Sequence, residues 1–106
     1  LDEFASNITE RTKLISLTHV SNVLGTVVPV KEVGKLCRER GILFMVDAAQ
    51  SVPHLDIDVK DIDCDFLAFS GHKMLGPTGI GVLYLKREHA RSLIPAILGG
   101  GSVDTT

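Results

Sequence analysis

Lys73 stands where a lysine is chemically useful. It ends the run Ser70-Gly71-His72-Lys73, which follows the apolar stretch Phe66-Leu67-Ala68-Phe69 and leads into a glycine-rich turn, Gly76-Pro77-Thr78-Gly79-Ile80-Gly81. Lysine is rarely hidden unless paired, and irregular backbone at a strand end is where α/β proteins build ligand sites. An amine held there can shed its proton and attack a carbonyl carbon. Asp47 and Gln50 follow a second apolar run, and Asn22 follows another. In a parallel sheet the C-terminal ends of strands share one edge, so separations of 25 residues (Asn22 to Asp47) and 26 residues (Asp47 to Lys73) become contacts in space.

The elements that must position these groups are legible in the pattern. Residues 14–18, Leu-Ile-Ser-Leu-Thr, read as a strand, with Thr18 to Gly25 as the loop after it. Pro29 suits the first turn of a helix in which Val30, Val33, Leu36 and Cys37 recur at helical spacing, and Gly41 closes it. Ile42 to Val46 is a continuous apolar run, as expected of a parallel strand covered on both faces, with Asp47 at its C-terminal end. Ser51 to Lys60 reads as irregular around Pro53. Phe66 to Phe69 forms a third strand ending at Ser70. Ile80 to Leu85 forms a fourth, close enough behind the glycine-rich turn to run antiparallel. Lys86 to Ala96 reads as a helix cut short by Pro95. The expected order is β-α-β-β-β-α: a piece of an α/β, mainly parallel sheet.

Bulk properties narrow the class. The chain has 106 residues, 44% hydrophobic and 23% charged, which suits a globular domain or part of one and excludes a disordered tract. A net charge of −2 gives no basic surface for nucleic acid or an anionic membrane, and no apolar stretch is long enough to span a bilayer. The two cysteines, Cys37 and Cys64, make no disulfide framework, so a cytoplasmic location is expected. The chain opens Leu1-Asp2-Glu3-Phe4, without an initiator methionine, and closes just after Gly99-Gly100-Gly101-Ser102, so it reads as part of a longer enzyme.

Three motifs in order carry a family resemblance. Thr18-His19-Val20-Ser21-Asn22-Val23-Leu24-Gly25, Val46-Asp47-Ala48-Ala49-Gln50, and Ser70-Gly71-His72-Lys73 with Gly76 to Gly81 resemble the large domain of fold-type I pyridoxal-phosphate enzymes. Among these, the class V aminotransferase group and its cysteine desulfurase/selenocysteine lyase branch of the SufS type are most similar. The resemblance implies pyridoxal 5'-phosphate as cofactor. Lys73 would form the Schiff base and serve as proton-transfer base; Asp47 would pair with the pyridine nitrogen; Gln50 would bond the ring's phenolic oxygen. Ser70 and His72 would contact the phosphate, and Asn22 the substrate carboxylate. No metal is needed. The substrate would be L-cysteine or L-selenocysteine, the first converted to L-alanine with sulfur passed to an acceptor protein, as in iron–sulfur cluster assembly. The parent would be a homodimer, and residues 1–106 a fragment of its large domain, without the small domain and the N-terminal part.

Taken singly, each residue has a structural reading: Lys73 as a solvated loop lysine, Asp47 as a turn or cap, Gln50 and Asn22 as loop residues, Ser70 and His72 as turn residues. His19 is expected to support its loop, and His54 and His89 to be surface residues without partners. Asn7-Ile8-Thr9 fits a glycosylation sequon, without other signs of secretion, and the glycine-rich turn is not a Walker loop because Lys73 precedes it. Gly99 to Ser102 resembles a family segment leading to the dimer-related site, with Val103 where Met is common. The resemblance also calls for a cysteine nucleophile on a mobile loop; Cys37 and Cys64 do not match it and read as packing residues. The fragment alone is therefore expected to be inactive. Two alternatives stay open: another class V enzyme (epimerase, kynureninase-like hydrolase or aminotransferase), or a non-catalytic α/β fragment.

Overall fold

The computed structural model describes residues 2–20, 27–52, 55–70 and 79–93. A short helix α1 (Asp2–Ser6) precedes strand β1 (Leu14–Thr18), helix α2 (Val30–Glu39), strand β2 (Leu43–Asp47), a one-turn helix α3 (Val59–Ile62), and strands β3 (Phe66–Ser70) and β4 (Gly81–Leu85). The sheet order is β1-β2-β3-β4, identical to the chain order. The first three strands are parallel, and β4 runs antiparallel to β3. Register aligns Thr18 with Asp47, Asp47 with Ala68, and Ser70 with Gly81. This is the mainly parallel α/β sheet expected from the sequence.

One face of the sheet is packed. Side chains alternate along each strand, so Phe44, Val46 and Leu67 point the same way, and all three are buried. Val30, Val33 and Cys37 of α2, spaced at helical period, join them in one core with Ile62 and Cys64. Gly34 lets α2 approach closely: a Cβ built there would lie 3.0 Å from the Ile62 carbonyl oxygen and 3.3 Å from the Phe44 ring. Gly41, at φ +67°, takes the left-handed conformation that ends α2. The Ile42 N–H then donates to the Cys37 carbonyl.

The other face differs from expectation. β2 is covered on one face only among the described residues: Leu43 and Asp47 are exposed and Met45 is half-buried, while Phe44 and Val46 between them are buried. β1 repeats that alternation. The apolar run of β2 therefore supplies one side to the core and leaves the other open.

Two further differences have local causes. Within Ser51 to Lys60, Ser51 is fully buried, and Asp58 starts α3 by accepting hydrogen bonds from the Lys60 and Asp61 N–H groups. Of the helix expected over Lys86 to Ala96, the described residues 86–93 form a single 3₁₀ turn, Arg87–His89. There Ser92 turns back on His89, its N–H and hydroxyl both donating to the His89 carbonyl, which competes with helix propagation. Residues 94–96, the glycine-rich segment 99–102 and Val103 lie outside the described residues, as does His54.

Candidate functional site

The three parallel strands end together, at Thr18, Asp47 and Ser70. Asp47 is tied down through its main chain and its side chain. Its carbonyl accepts the His19 N–H at 2.9 Å, and its Oδ1 accepts the Ala49 N–H at 3.0 Å. The following residue, Ala48, donates to the Ala68 carbonyl at 2.8 Å, which fixes the turn against β3. The carboxylate is exposed on the open face, with fixed backbone behind it.

A groove of about 310 Å³ lies on that face, lined by Ser16, Met45, Asp47, Ala49, Ala68, Phe69 and Ser70. Ser70 stands one strand over from Asp47 and two residues further along, about 8 Å away by ordinary strand spacing. Gln50 is half-buried in the turn just beyond Asp47. The structure thus brings Asp47 and Ser70 to one groove, with Gln50 at the same edge. Asn22, His72 and Lys73 lie outside the described residues.

The other titratable groups divide clearly. His19 is 8% exposed, and its ring Nδ1 has no hydrogen-bond partner among the described residues. Burial pushes its pKa down, which favours the neutral ring. Cys37 and Cys64 are free and fully buried, and burial pushes both thiols up, away from the thiolate form. Both pack the core, as the sequence led one to expect.

His89 corrects the expectation of a partnerless surface residue. Its Nε2 meets Asp65 Oδ1 at 2.8 Å, and its ring lies 5.5 Å from that of Phe66. Asp65 Oδ2 also accepts the Phe44 N–H at 2.8 Å. Lys86 reaches Asp63 at 2.7 Å and Asp65 at 3.8 Å, and Arg38 reaches Asp63 at 3.0 Å. This cluster sits where β3 begins and β4 ends, at the edge opposite Asp47, and ties the sheet together there. Asp65 and His89 are 24 residues apart, and only the antiparallel return of β4 brings them together.

The aminotransferase class-V family model matches residues 1–106. The chain belongs to the class-V aminotransferase family. This class-V chain is 50% identical over 104 residues to a probable cysteine desulfurase of Halalkalibacterium halodurans, covering 98% of this chain and 26% of that relative. Among solved structures, SspA in complex with cysteine superposes with a TM-score of 0.86 at 46% identity, covering 94% of this chain and 29% of that one. The cysteine desulfurase CsdA (S-sulfonic acid) from Escherichia coli gives a TM-score of 0.88 at 41% identity, with 93% and 25% covered. The class-V chain thus spans about a quarter of the length of the relatives it matches.

Enzymes of this family generally depend on pyridoxal phosphate. The described residues fit such a group. An ionised carboxylate is an acceptor only, suited to a protonated ring nitrogen, and Asp47 offers one over an open groove. Ala68, its neighbour on β3, leaves room beside it.

Proposed function

We propose that this chain is the central part of the cofactor-binding large domain of a pyridoxal-phosphate-dependent cysteine desulfurase. The observation that carries the reading is the placement of Asp47 at the shared C-terminal edge, its carboxylate fixed by Ala49 and directed over the groove that Ser70 also lines. The cofactor, when bound, supplies a ring that withdraws electrons from the carbon bearing the substrate amine. Asp47 holds a proton on the ring nitrogen by charge pairing. Gln50 bonds the phenolic oxygen, and Ser70 with His72 holds the phosphate. Lys73 Nζ tethers the group and afterwards carries the proton to and from the substrate carbon. Asn22 orients the substrate carboxylate.

The substrate in this reading is L-cysteine, converted to L-alanine, or L-selenocysteine. The sulfur passes to an acceptor protein in the service of iron–sulfur cluster assembly. We place the enzyme in the cytoplasm as a homodimer. None of the described helices is long and apolar enough to cross a membrane. Both described cysteines are buried core residues, so the sulfur-accepting thiol belongs elsewhere in the enzyme, and these 106 residues alone do not turn over substrate.

The test is reduction of the full-length protein with borohydride in the presence of pyridoxal phosphate, followed by peptide mass spectrometry. A pyridoxyl adduct confined to Lys73, and weakened in Asp47→Ala, is the expected result. Adducts spread evenly over exposed lysines would overturn the assignment.

A further inference from the structure

His19 continues the alternation of β1, so its side chain lies on the packed face, opposite the Asp47 carboxylate. Its ring lines a cleft of about 290 Å³ with Val30, Leu55, Ile57 and Ile62. Its main chain is used twice: the N–H donates to the Asp47 carbonyl at 2.9 Å, and the carbonyl accepts the Val28 N–H at 2.8 Å. One residue on, Val20 bridges Val27. The residue whose side chain is buried on the packed face is therefore also the one whose N–H grips the Asp47 peptide.

The orphaned Nδ1 calls for an explanation, because buried polar atoms are nearly always paired. A bare acceptor is easier to tolerate than a buried N–H without an acceptor, so the ring carries its proton on Nε2. A second proton would place an unpaired N–H at Nδ1 together with a buried charge, which disfavours the seated ring in that form. The seat therefore favours the neutral ring.

We propose that His19 is a positioning residue for Asp47: its neutral ring, seated under the end of β1, fixes the peptide from which the Asp47 carboxylate is presented to the cofactor. This inference rests on the cofactor reading above. Histidine in this seat makes the positioning sensitive to pH, which an apolar wedge of the same shape does not. The charged groups that line the same cleft are Lys31 from α2, Asp56 and Asp58 from the segment before α3, and Asp61 from α3. They are unchanged by substitution of His19, so their titration is common to the proteins compared.

The experiment measures the dissociation constant for pyridoxal phosphate by absorbance titration of the full-length protein, with His19→Ala, His19→Gln and Asp47→Asn alongside. At about pH 8, His19→Ala weakens binding about tenfold, while His19→Gln, which fills the seat and stays neutral, remains within about threefold of the parent. At about pH 5.5 the parent loses affinity more steeply than His19→Gln, because only the parent's ring takes up a proton. Parallel losses in parent and His19→Gln, or a His19→Ala protein that melts lower yet binds cofactor normally, would reduce His19 to ordinary packing. If His19→Ala fails to fold, the comparison of His19→Gln with the parent decides alone. Should Asp47→Asn bind cofactor unchanged, the Asp47 reading falls and this inference with it; should Asp47→Asn weaken binding while both His19 variants do not, only this inference falls.

Discussion

Asp47 and Asp63 show how one residue type serves opposite ends of the sheet. Asp47 is fixed by backbone donors and exposed on a groove, an arrangement suited to meeting a cation from outside. Asp63 already holds its cations: the Lys86 hydrogen bond, and the Lys86 and Arg38 charges, hold its carboxyl below the usual value. A carboxyl lowered in the folded state stabilises above its unfolded pKa, and that contribution is lost as pH falls through the folded value. Asp63 is partly exposed, so solvent screening limits its contribution to about 0.5 kcal/mol. Asp63 also sits at φ +57°, a conformation asparagine tolerates, so Asp63→Asn isolates the charge. Asp63→Asn should lower stability at about pH 7 and be nearly neutral at about pH 2, as read by thermal melts of the full-length protein. Such ion pairs were not legible in the sequence. Asp47 was, because an acid directly after an apolar run marks a strand end.

At the scale of elements, what was legible followed from period and punctuation. β1, β3 and β4 were expected within a residue or so of their observed bounds, since short apolar runs bounded by polar or glycine-rich segments allow little else. α2 was legible from Val30, Val33 and Cys37, with Gly41 as its stop. The helix expected after β4 failed because Ser92 bonds back to His89, and because His89 and Lys86 are engaged with Asp65, contacts that no local pattern encodes. α3 was hidden because four residues are too few to show a period. The closeness of α2 to α3 yields a sharp prediction. Gly34→Ala gains helix propensity of at most about 1 kcal/mol. It also places a methyl against backbone at 3.0 Å, an overpacking cost of about 1–3 kcal/mol. Denaturant titration should show net destabilisation; an unchanged or higher midpoint would mean that α2 moves outward freely.

For the molecule as a whole, the imbalance between the two faces of the sheet dominates. Leu14, Leu43 and Leu83 share the open face and are 49%, 38% and 54% exposed. Met45, Phe66 and Leu85 lie on the same side. Soluble monomers rarely leave a contiguous apolar surface of this kind in water. The 106-residue chain prepared by itself should sediment as dimers or larger species, and Leu43→Lys with Leu83→Lys should shift it toward monomer. A monomeric parent chain in the ultracentrifuge would show that this face tolerates water unaided.

The sheet order, which follows the chain order strand by strand, bears on synthesis. Among the described strands, each of β2, β3 and β4 pairs with the one made just before it. That order allows β1 to template β2, β2 to template β3, and β3 to receive β4 as the ribosome releases the segment. The edge that carries Asp47 is then assembled as soon as β3 has emerged, before β4 is added.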